Sequence, residues 1–217
     1  MVGYLLRFDP YRRRLKCLLD ARALGDLAYV VAGKGGPPLT AWRTLRASGG
    51  GQLLWVGSHL LDQVLWLVGR PVERVYAEIR RVVDAAGDGV DITSVVTLRF
   101  AGGLLAHLDC SQAAVEPYDF VEVAGVDGRA RADWRPRHQL TVQSQRVPGN
   151  ATPRTERSRP SMLRRESVAE LAEFVQSIVE ARPPAITGQD ALRVLEVLDA
   201  IALSAERGQP VQVSSAA

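Results

Sequence analysis

Cysteine is nearly missing from this 217-residue chain: Cys17 and Cys110 are the only two. They lie too far apart in sequence for a disulfide framework or a thiolate metal cluster, so both read as small hydrophobes in a reducing compartment. Lysine is equally scarce, confined to Lys16 and Lys34, so the 27 basic residues are almost all arginine and, against 24 acidic ones, leave a net charge of only +3. That balance, without a concentrated basic face, argues against a nucleic-acid partner. No apolar run is long enough to cross a bilayer; the longest, Leu53 to Val68, is interrupted by His59, Asp62 and Gln63. The N-terminus, MVGYLLRFDPYRRR, places its charges after its apolar residues, unlike a signal peptide, so no membrane partner is expected and a cytoplasmic location follows. Neither a GxGxxG turn after a strand nor, beside Gly33 to Gly36, the Lys-Ser/Thr pair of a P-loop is present, which excludes both common phosphate cradles.

What is present is a globular composition, 47% hydrophobic and 24% charged, in a chain long enough for a substantial core. The stretch Gly49 to Gly69 organises it. Three glycines open a helical pattern in which Leu53, Leu54, Gly57, Leu60, Leu61, Val64, Leu65 and Val68 form the core-facing side. Trp55, His59, Asp62 and Trp66, spaced by four, three and four, share a second stripe, a polar pair between two indoles.

Before that helix, Val2 to Phe8 reads as a short strand, and Asp9-Pro10 caps a helix running to about Ala23. Asp26 to Lys34 reads as a strand. From Pro71 the period becomes two, and successive runs separated by Asp-Gly and Gly-Gly turns predict an antiparallel meander. Its outward side carries Tyr76, Thr93, Val95, Thr97, Leu105 and His107, and His107 has Asp109 two residues away as a possible partner. His138 has no partner that the sequence names. Residues 147–164, rich in Pro, Arg, Ser and Thr, predict a mobile loop. Two helices close the chain, with Ser167/Glu170 and Thr187/Asp190 as capping boxes. The first of these boxes stands ahead of Leu171, Phe174, Val175 and Ile178.

Gly49, Gly50, Gly51, Gly57, His59, Asp62, Trp66 and Gly69 together resemble a signature of the glucose-fructose oxidoreductase / inositol dehydrogenase (Gfo/Idh/MocA) family. VGYLLRFDPYRRRLKCLLDARALGD and the closing ITGQDALRVLEVLDAIALSAERGQPVQV resemble that family's corresponding segments, so the likeness covers nearly the whole chain in order. It implies the family's C-terminal α+β domain, an open, mainly antiparallel sheet of about five to seven strands with helices packed on one face, as in dihydrodipicolinate reductase and glyceraldehyde-phosphate dehydrogenase. By the same resemblance, residues 1–25 are a remnant strand and helix linking to a missing N-terminal Rossmann domain, and residues 26–217 are the substrate and oligomerisation domain.

The resemblance also implies the chemistry, NAD(P)-dependent oxidation of a sugar or polyol. His59 takes the place of the histidine that binds the reacting hydroxyl and moves its proton, and Trp55 stands where the family has an aspartate. Arg7, Trp55, His59 and Asp62 are the implied substrate contacts. NAD or NADP is the implied cofactor, bound not by this chain alone but by the missing half, and no metal is implied. The implied partners are further copies through the open sheet face, and a separate Rossmann-domain chain. The isolated chain is expected to be inactive; the alternative is a stand-alone, non-catalytic oligomerisation or ligand-binding partner of an intact relative.

Overall fold

The computed structural model describes residues 1–38, 40–135, 137–158 and 163–213. Its strands are β1 (Leu27–Gly35), β2 (Val72–Val83), β3 (Gly89–Phe100), β4 (Leu105–Ser111), β5 (Tyr118–Gly125), β6 (Gly128–Arg135), β7 (Gln139–Ser144), β8 (Arg154–Arg157) and β9 (Val211–Gln212). The helices are α1 (Pro10–Asp20), the single turn α2 (Arg46–Gly49), α3 (Ser58–Val68), α4 (Leu163–Val179) and α5 (Gly188–Arg207).

All nine strands join one sheet, ordered β8-β7-β6-β5-β1-β4-β3-β2-β9. The α+β class and mainly antiparallel sheet are as expected. The count exceeds the expected range because of β8 and β9, edge pieces of four and two residues that are too short to show alternation. β8 falls within the stretch predicted as a loop; residues 159–162 of that stretch lie outside the described residues.

The predicted meander is interrupted. β1 inserts between β4 and β5, parallel to β4 and antiparallel to β5. The link from β4 to β5 is not a tight hairpin; it wraps the end of β1, where Gly36 N–H donates to Ser111 O and Ala114 N–H to Gly36 O. The expected strand is there, with Val30 and Ala32 almost fully enclosed, but a strand pattern does not say which strands flank it.

Val2 to Phe8 is not a strand. Leu5–Phe8 forms a 3-10 turn, and Val2 N–H donates to Ile186 O. The turn sinks Tyr4 and Leu6 into the core. α1 begins as predicted, with Asp9 Oδ1 accepting from Arg12 N–H at 2.8 Å and proline in the first turn.

Helices α1, α3 and α5 cover one face of the sheet. Leu60, Leu61 and Val64 of α3 and Val197, Leu198 and Ile201 of α5 meet Val75, Leu98 and Val96 in one apolar core. The capping box at Thr187 is complete: its hydroxyl accepts from Asp190 N–H while Asp190 Oδ2 accepts from Thr187 N–H at 2.8 Å. The one at Ser167 is not a cap, because α4 starts earlier and takes Ser167 into its interior. The apolar residues that follow it on α4 are not in the core: Leu171, Val175 and Ile178 are each more than half exposed and Phe174 is 43% exposed.

Candidate functional site

The entry to α3 is built by backbone rather than by a side-chain cap of its own. Gly51 has φ of +92°, and a Cβ there would lie 1.9 Å from Asp91 Oδ1. Asp91, from β3, accepts the Leu53 N–H through its other carboxylate oxygen. The triple glycine is therefore a turn wrapped around a carboxylate, which holds the exposed N–H of the helix start.

Leu53–Gly57 then forms a π-helical turn before α3 continues as α-helix. The predicted single stripe does not stay together: Trp55 and His59, four residues apart, meet different neighbours. Trp55 is 40% exposed and turns toward Ala41–Thr44, meeting the Trp42 ring edge-on at 5.3 Å and the Arg43 guanidinium at 5.8 Å.

His59 looks the other way. It packs edge-to-face with Tyr4 at 5.8 Å. Burial first, then the Lys34 charge, lowers its pKa against the opposing pull of Asp119. The imidazole is thus neutral at neutral pH, the form that accepts a proton. Lys34 and Asp119 are cross-strand partners on β1 and β5 and form an ion pair in which Asp119 is buried and Lys34 partly exposed. Arg12 of α1 completes it, donating from Nη2 to Asp119 and from Nε to Gln63 Oε1 at 2.6 Å. Lys34 also lies over the Trp134 ring at 5.3 Å. The sequence signal for this cluster was a charged residue on the inward parity of each strand, Lys34 after Val30 and Ala32, and Asp119 before Val121 and Val123.

Arg7 and Asp62, both expected to contact substrate, contact each other. Arg7 Nη2 donates to Asp62 Oδ1 at 2.7 Å, and its Nε to Asp62 Oδ2 at 3.1 Å, with Asp190 Oδ1 3.4 Å away. Burial pushes Asp62 up to about 6 although Arg7 opposes the rise. Arg7 also stacks under Trp66 at 5.9 Å, and both line a 670 Å³ cleft with Arg70, Asp190 and Arg193. Trp66 thus faces a different cavity wall from Trp55.

The other two histidines differ from what their sequence neighbours suggest. Asp109 is occupied by the Tyr118 hydroxyl rather than by His107. His138, for which the sequence suggested no partner, is buried between Asp9 and Ser158.

A dinucleotide does not fit the described residues. The parallel pair β1–β4 has no helix opening from a glycine-rich turn at its end, and the glycine turn before α3 is already filled by the Asp91 carboxylate, which would repel a pyrophosphate. No described helix is long and apolar enough to cross a membrane.

Comparison with known proteins agrees with this architecture. The model of the GFO/IDH/MocA C-terminal domain matches residues 12–131. The chain is 33% identical to myo-inositol 2-dehydrogenase of Thermotoga maritima over 206 residues, 89% of this chain and 58% of that protein. Among solved structures it is similar to GenD2 from gentamicin A biosynthesis in complex with NAD, at 28% identity and a TM-score of 0.82, covering 98% of this chain and 63% of that one. Levoglucosan dehydrogenase in complex with NADH and L-sorbose shares the fold at a TM-score of 0.89 and 20% identity, covering 100% of this chain and 66% of that one. The chain spans 58 to 65% of the length of the first three curated relatives that it matches. With more than half its residues matched to that domain and a relative 33% identical over 89% of its length, the chain belongs to the Gfo/Idh/MocA family of oxidoreductases, as a C-terminal-type domain.

Proposed function

We propose that this chain is the substrate-shaping and subunit-contacting domain of an NAD(P)-dependent oxidoreductase acting on a sugar or polyol, and that turnover needs a dinucleotide-binding domain supplied beside it. The observation that carries this reading is the unpartnered stripe on α4: Val168, Leu171, Val175 and Ile178 are all more than half exposed. An apolar stripe of this kind on a long helix calls for a covering surface. The N-terminal turn Leu5–Phe8 packs on the same helix, so a domain joined at that turn, or a separate chain docking there, would lie beside the helix that carries the stripe. The matched relatives are longer than this chain, and the matched model is a C-terminal domain, which makes a dinucleotide-binding domain the occupant of choice.

In this reading His59 accepts the proton of the substrate hydroxyl. A secondary alcohol loses that proton as hydride leaves carbon, and a neutral, partly buried imidazole is suited to take it. Lys34 favours the neutral imidazole and stands as a donor toward substrate oxygens on the inner face of β1. The hydride acceptor belongs to the other domain.

The second reading, a non-catalytic oligomerisation or ligand-binding partner of an intact relative, is favoured by Trp55. Its indole carries no charge, and it rests on Trp42 and Arg43 rather than beside His59. The two readings separate in one assay: NAD(P)-linked oxidation of a panel of polyols by this chain, alone and with the dinucleotide-binding domain of a relative. Activity that requires both components and disappears in His59→Ala supports the first reading; no activity with either, alongside binding of polyol or of an intact relative, supports the second.

A further inference from the structure

Three ligand-bearing side chains outside the His59 cluster converge from separate elements: Asp9 ahead of α1, His138 ahead of β7, and Glu166 in the first turn of α4. All three are buried, and one ligand atom from each lies within 4.8 Å of the other two. Glu166 is 1% exposed, yet neither of its oxygens meets a donor among the described residues. A buried carboxyl without a donor must hold a proton or face a cation, because an uncompensated charge there is costly. Asp9 is better served: Oδ1 caps α1, and Oδ2 accepts from His138 Nε2. His138 Nδ1 is bonded to Ser158 Oγ at 2.6 Å.

We propose that Asp9, His138 and Glu166 form a binding site for a divalent transition-metal ion of the zinc type. One imidazole nitrogen and two carboxylates are a donor set for such an ion. Ser158 is placed as the outer partner that metal-binding histidines use: when the imidazole proton moves to Nδ1 and donates to Ser158 Oγ, the Nε2 lone pair is released toward the ion. The ion takes the place of the Nε2–H donated to Asp9. Metal bonds of about 2.0–2.2 Å require the three donor atoms to draw together, and Glu166, having no donor to give up, is the side chain able to move. Two carboxylates balance the dication. The Arg12 charge lies on the far oxygen of Asp9, its Nη1 3.5 Å from Oδ1, with Nε and Nη2 engaged by Gln63 and Asp119. Without the ion, burial and then the Asp9 charge raise the Glu166 carboxyl, so a proton is the competitor for this place.

The test uses the full chain, stripped with chelator and titrated with Co²⁺ and Zn²⁺ at neutral pH. Saturable binding of one Co²⁺, visible bands of a low-coordinate site and a rise in Tm are expected. Glu166→Gln should weaken binding by about tenfold or more, and His138→Ala should abolish the bands. The chain has three histidines, His59, His107 and His138, so paramagnetic Co²⁺ should give its largest imidazole shifts, those of a directly bound ring, at His138, a readout that needs no variant. The proposal is overturned by absence of binding at about 1 mM metal, by equal affinity in Glu166→Gln, or by a shift of His59 or His107 in place of His138.

Discussion

Arg7 and Asp62, 55 residues apart in sequence, form a two-pronged ion pair, with Arg7 Nη2 2.7 Å from Asp62 Oδ1. Asp62 is 1% exposed and the Arg7 side chain 10%, so the pair anchors the N-terminal turn to α3 inside the protein. Removing one partner of such a pair leaves a buried charge uncompensated, and Arg7→Ala should cost about 3–5 kcal/mol. Burial already raises Asp62 above its unfolded value of 3.8, to about 6. Its contribution to stability is therefore complete below the unfolded pKa and is lost as pH rises through about 6. Without Arg7 the rise is larger, so urea denaturation should show Arg7→Ala losing more at about pH 8 than at about pH 5, and Asp62→Asn flattening that dependence.

On the open face of the sheet, Val31, His107, Thr97 and Tyr76 stand side by side across β1, β4, β3 and β2. Tyr29, Val95 and Leu105, each more than 40% exposed, flank that row. A band this apolar suits a second copy of the chain. Light scattering at tens of micromolar is expected to find a dimer or larger species, and Val95→Lys with Leu105→Lys to return it to monomer with unchanged circular dichroism. A monomeric wild type removes the sheet face as an interface.

Trp55→Asp places a carboxylate where the resemblance to the family implies one. Trp55 is half-exposed, and its lost contacts are those with Trp42 and Arg43, so the change should cost stability only about 1 kcal/mol. Polyol oxidation is expected to rise only when the dinucleotide-binding domain is supplied as well. A rise in its absence would contradict the division of labour proposed above.

The two thiols should behave oppositely. Cys110 is buried in the core, and burial raises its pKa, whereas Cys17 is exposed on α1. An aromatic disulfide reagent should titrate Cys17 alone in the folded protein and both residues in denaturant. Cys17→Ser should then leave the folded protein unreactive.

Much of this protein was determined locally by its sequence. Alternation fixed the faces of β2, β3 and β4, the Asp9-Pro10 and Thr187/Asp190 pairs fixed two helix starts, and the glycines around His59 marked the helix that carries it; each signal lies within a few residues of what it specifies. The tertiary structure decided what depends on partners distant in sequence. The insertion of β1 between β4 and β5 is a matter of neighbours, which periodicity does not encode. The start of the helix at Leu53 is held by Asp91 from another element, and Trp55 and His59 are parted by the neighbours they meet, Trp42 and Arg43 for one and Tyr4 for the other. The pairings of Arg7 with Asp62, Lys34 with Asp119, and His138 with Asp9 join residues 55, 85 and 129 positions apart. A charge on an inward-facing position announces in sequence that it needs a partner, and only the packed fold chooses which one.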